Sequence, residues 1–185
     1  RVKAVRAEQQ RISKLPTDEE KQTARMALNQ AANQQVYETA RRFLQRAFGS
    51  PSQLREQMTW FWMNHFNVFS GKAHVRWTIV EYEDSVRALA FGRFADLVMA
   101  TLTSPAMLEY LDNAQSAVNK INENYARELM KLHTLGVSGG ERGSRYSQHD
   151  VQELARVLSG VGLNLTDNTP KLPPARQPFY IRKGL

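Results

Sequence analysis

Four histidines, at positions 65, 74, 133 and 149, are the side chains of this 185-residue sequence best suited to chemistry near neutral pH. Placed at 100° intervals on a helix, His133 falls in the middle of the face made by Tyr125, Ala126, Leu129, Met130 and Leu132. His65 continues a stripe of Leu54, Met58, Phe61 and Trp62, so two inward imidazoles approach each other if these helices pack. One reading is a buried metal or haem ligand, or an acid/base pair in a dry cleft. The simpler reading is a pair of core histidines, each hydrogen-bonded to a carbonyl or a neighbouring side chain. His74 and His149 fall in a loop and in a first helical turn, and take no role.

Carboxylates are the other route to catalysis. Glu123 and Glu128 flank Arg127, but five residues of helix set them about 140° apart, so they cannot form a dyad. Glu123 stands four residues before Arg127 and Glu128 three before Lys131, the spacings of helical ion pairs. An Arg127 that holds two helices or a loop together is the more consequential form of that pairing. The stretch from Asp112 to Glu123 has acids at its first and twelfth positions, as a calcium loop does, but Ala114 and Ala117 stand where a ligand and a glycine are needed. Glu-x-x-His spacing, a phosphate loop, a nucleophile elbow, a His-Glu-x-x-His helix and a dinucleotide fingerprint are all absent.

These residues must be carried by helices. Thr17 with Glu20 matches a capping box and opens a long helix from about Asp18 to Phe48, stopped by Gly49. Ser50, Pro51 and Gln53 read as the cap, first position and box of the next helix. Thr78 with Glu81 opens another, and Phe94 to Leu102 and Pro105 to Leu111 are short helices. Asn122 caps a helix ending at Gly136, and Ser147 with Asp150 caps the last, whose apolar stripe is Val151, Leu154, Ala155 and Leu158. Asp112 to Lys120 and Ser138 to Arg145 read as loops, the second exposed and mobile. The expectation is all-α: an irregular bundle of about six to seven helices, with no strand pair. It divides into a basic helical region at 1–49, a helical core at 50–165 and a Pro-rich extended connector at 166–185.

Cysteine is absent, which removes disulfides and thiolate chemistry, and no apolar run approaches the roughly 20 residues of a membrane span. No signal-peptide pattern opens the segment, and its start at Arg1 and its Pro-rich end suggest a piece of something longer. The net charge of +7 is uneven: residues 1–46 carry ten Lys/Arg against five Asp/Glu, and the rest fifteen against thirteen. Such a basic face could meet nucleic acid, but it is interrupted by Glu8, Asp18, Glu19 and Glu20 and holds only Tyr37 and Phe43 as aromatics, so a solvated face is expected. Trp60, Phe61, Trp62, Phe66, Phe69 and Trp77 crowd eighteen residues. Trp60 and Trp62 point to opposite sides of one helix, which favours packing over a flat stacking platform.

Four blocks carry a resemblance: FWMNHF at Phe61 to Phe66, SPAMLEYLDN at Ser104 to Asn113, NENYARELMKLHTLGV at Asn122 to Val137 and YSQHDVQELARVLSG at Tyr146 to Gly160. In this order they resemble the bacterial family grouped as the domain of unknown function numbered 1800. The resemblance implies an exported, periplasmic compartment and a sulfatase-related exported protein encoded nearby as a partner. It supplies no catalytic residues and leaves any cofactor unknown, and it implies a domain that continues past the last helix. Family members usually have an acid where Lys131 stands and often an aromatic where His133 stands, which weakens His133 as a required ligand. The leading reading is thus an exported helical protein with an assembly or binding role. Its rivals are a metal- or haem-dependent enzyme using His65 and His133 with Glu123, Arg127 or Glu128, and nucleic-acid binding through the basic N-terminal helix.

Overall fold

The computed structural model describes residues 2–72, 74–116, 120–137, 146–163 and, for the backbone, 179–181. Eight α-helices follow one another: α1 (Val2–Ser13), α2 (Asp18–Gly49), α3 (Gln53–His65), α4 (Ile79–Ala88), α5 (Phe94–Leu102), α6 (Pro105–Tyr110), α7 (Glu123–Glu128) and α8 (Gln148–Leu158). The fold is all-α. The loop expected at Ser138 to Arg145 and, of the connector expected at 166–185, residues 166–178 and 182–185 lie outside the described residues.

Local chemistry sets most boundaries. The hydroxyl of Thr17 accepts from the Glu20 amide while the Glu20 carboxylate takes the Thr17 amide, and Ser147 with Asp150 repeats the device at α8. Asn122 accepts from the Asn124 amide and starts α7. Ser50 departs from its expected role. It ends α2, donating its amide to Arg46 and its hydroxyl to Glu56, and α3 begins three residues later at Gln53.

The core is built from α3 to α8. Phe66, Val75, Tyr82, Val86, Leu97, Met107, Leu108, Tyr125, Ala126, Val151, Ala155 and Leu158 form one buried cluster. In contrast, α2 buries only Ala32 among its 32 residues. The face that α3 turns inward keeps part of the predicted stripe: Trp62 packs against the core, whereas Leu54 is 68% and Phe61 53% exposed and Glu56 and Thr59 are buried. Glu56 faces inward against Arg87 of α4, which fits a helix turned away from Leu54 and Phe61.

One strand pair corrects the expectation of none. β1 (Val161–Leu163) pairs antiparallel with β2 (Phe179–Ile181), with Gly162 opposite Tyr180. Buried Asn113 secures the approach to β1, its amide donating to the carbonyls of Leu158 and Val161, each at 3.0 Å.

Candidate functional site

The helix that Asn122 starts, the signature helix of the NENYARELMKLHTLGV block, does not end as an α-helix. After α7 the chain continues through Leu129–Thr134 as a π-helical turn, with the Leu135 amide reaching back five residues to the Met130 carbonyl at 2.7 Å. The Thr134 hydroxyl donates to the Leu129 carbonyl, also five residues back, and Gly136 closes the turn at a φ of 84°. Such a wide turn shifts every later side chain around the axis. Leu132, expected on the packed face, is therefore 53% exposed, while His133 stays buried.

The structure brings His65 and His133 together as the sequence suggests, and it shows how they are used. Nε2 of His65 lies 2.9 Å from the His133 carbonyl oxygen, and Nδ1 of His133 lies 3.0 Å from the His65 carbonyl oxygen. A carbonyl only accepts, so each of these nitrogens carries a proton and donates. His65 is the last residue of α3 and His133 stands near the end of its own turn. Both carbonyls belong to the group that helix ends leave unpaired, and the two rings satisfy them reciprocally.

An aromatic shell encloses His65. The rings of Phe66, Trp62, Phe94 and Phe61 lie 4.6, 5.8, 6.0 and 6.4 Å from its own, and that of His133 at 6.1 Å. Trp62 is anchored by its indole N–H to the Ala90 carbonyl, whereas Trp60 turns away and stacks on Phe43, so no flat platform forms. Burial holds His133 below the usual histidine range, against the pull of the His65 carbonyl and of Glu128.

Glu123 and Arg127 pair at 2.9 Å as expected, and Gln148 of α8 completes the group, accepting from Arg127 and donating to Glu123. Arg127 thus joins α7 to α8. Glu128 departs from its expectation: among the described residues it forms no ion pair with Lys131, and its charge pulls His133 weakly toward the protonated form. Asp112 pairs with Lys72 at 2.7 Å, so the two acids of the calcium-like stretch serve different partners. Among the described residues no three His, Asp or Glu side chains gather closely enough to hold a metal ion.

Three ionic groups were not anticipated. Buried Glu109 of α6 lies 3.1 Å from Arg6 of α1 and 3.4 Å from Nδ1 of His74, a residue assigned no role from sequence. Burial pushes the Glu109 carboxyl up, but His74 and then Arg6 outweigh it and hold it below the usual range. Arg46 of α2 meets Glu83 of α4 at 2.7 Å, and Arg42 meets Asp84 at 2.6 Å. Arg87 holds Glu56. Only Glu109 carried a signal in the sequence, an acid set among apolar neighbours in AMLEYL. With Arg11 on Glu8, Lys21 on Asp18 and Arg41 on Glu38, most cations of the basic N-terminal region already have a carboxylate.

Surface depressions lie elsewhere. One of about 480 Å³ sits by Asp18, Lys21 and Arg25, another of about 380 Å³ by Arg42 and Arg46, and neither reaches the histidines. No described helix is long and apolar enough to cross a membrane.

The chain is all-α in fold class, and it bonds His65 and His133 to each other's backbone carbonyls. By sequence it matches the family described as Protein of unknown function (DUF1800) over residues 2–183, and it belongs to that family. No curated protein and no solved structure matches it.

Proposed function

We propose that this segment is a binding or assembly module of an exported bacterial protein, and that the apolar surface around His65 and His133 is where a partner protein packs. One observation carries the reading. Each ring gives one nitrogen to the other residue's carbonyl, while Phe61 and Phe94, 53% and 41% exposed, flank His65, and exposed Leu132 adjoins His133. Clustered exposed apolar side chains mark interaction sites more often than chemistry. The resemblance nominates a sulfatase-related exported protein as the partner.

The test is to titrate the full-length protein against its sulfatase-related neighbour by sedimentation and calorimetry. Phe61→Asp and Leu132→Asp, both at exposed positions, should each weaken the complex by about tenfold or more. Absence of any complex at micromolar concentrations, or a complex indifferent to both substitutions, overturns the reading.

A further inference from the structure

The bonds between His65 and His133 have an unusual relation to protons. Each ring donates with one nitrogen, which leaves Nδ1 of His65 and Nε2 of His133 as the positions that take up a proton. A first proton leaves both donors in place. A second puts two imidazolium rings 6.1 Å apart, with His133 buried and His65 ringed by Phe61, Trp62, Phe66 and Phe94. Like charges at that distance in a poorly solvated site repel strongly.

Few groups nearby can offset the second charge. Glu128, from α7, is the acid that acts on His133. Lys131 lies on the same turn and adds positive charge. On α5, which brings Phe94, Asp96 is occupied by Arg93 at 2.8 Å. From α3 the neighbours are aromatic.

We propose that the reciprocal His65–His133 bonds are an acid-released latch: they hold the last turn of the signature helix in its π-helical form, and double protonation of the pair parts the two helix ends and lets that turn loosen. A π-helical turn is rarer than an α-helical one. This one carries, beside its own local bonds, a pair of bonds to a residue 68 positions away in sequence. The sign follows from burial. The fold favours neutral His133, so the stabilisation is complete above the ordinary histidine value near 6.5 and is lost as pH falls below it.

The experiment is amide hydrogen exchange at Leu135 and Gly136, whose amides reach back to Met130, between about pH 7.5 and about pH 5, corrected for intrinsic rates. Exchange should quicken by about tenfold or more at the lower pH. In His65→Gln with His133→Asn, the amide nitrogens replace Nε2 and Nδ1 as donors but take up no proton, so protection should persist across the range. Unchanged protection in the unsubstituted protein, or an equal acid response in the double variant, overturns the latch. If the double variant does not fold, the two histidine titrations followed by NMR decide. Two steps separated by about one pH unit or more support the latch, and two independent ordinary titrations overturn it.

Discussion

Arg87 grips the carboxylate of Glu56 at two points, Nη2 to Oε1 at 2.5 Å and Nε to Oε2 at 3.2 Å, and so ties α4 to α3. The Ser50 hydroxyl donates to the same carboxylate, which makes Glu56 the joint of three helices. The guanidinium holds that carboxyl below the usual range, against burial. Because Glu56 is buried, removing its partner leaves a charge without compensation. Arg87→Met should lower unfolding stability by about 2–4 kcal/mol in urea titrations, less than a fully buried pair because the arginine is partly exposed.

Two buried tyrosines give opposite expectations. Tyr82 donates its hydroxyl to the Phe66 carbonyl at 2.5 Å, whereas the buried Tyr125 hydroxyl has no hydrogen-bond partner among the described residues. Tyr82→Phe should cost about 1 kcal/mol, and Tyr125→Phe should be neutral or stabilising, because it removes an unmet polar group. Thermal unfolding of the two variants compares them directly.

Glu109 supplies an acid limb to the stability profile. Its folded carboxyl is held below the ordinary value of 4.5, so its contribution is complete above that pH and fades as pH falls through the lower folded value. Glu109→Gln should therefore flatten the decline in stability below about pH 4.5, at the cost of lower stability near neutrality. Denaturant titrations at several pH values would expose a profile that failed to flatten.

Glycine matters at one helix end and not at the other. Gly136 has a φ of 84°, and a β-carbon there would meet nothing within 4 Å, so the cost of Gly136→Ala is conformational and about 1–2 kcal/mol. Gly49 also has open space and carries no positive φ, so Gly49→Ala should be neutral or stabilise by up to about 1 kcal/mol. Equal effects of the two substitutions would contradict this contrast.

Several helix starts were legible because their determinants lie within three residues, although the boxes read at Ser50 and Thr78 do not form. The boxes at Thr17 and Ser147 and the cap at Asn122 form as read. The inward direction of His133 was also legible from helical spacing. The rotation of α3 was not. Its apolar stripe is real in the sequence, but Arg87, the partner of buried Glu56, lies 31 residues away. The π-helical turn has no local signature, since the ring–carbonyl bonds that accompany it span 68 residues. β1 and β2 are three residues each, too short for alternation to declare itself.

The 32 residues of α2 give it a length of about 48 Å, whereas a compact chain of this size has a radius of gyration of about 16 Å. A rod that long with one buried residue is a ruler. Reporter groups at its exposed positions Met26 and Phe48 should keep a fixed separation of about 33 Å, whatever happens at the histidines. Any change in their distance to a third label on α8 would then measure movement of the core alone.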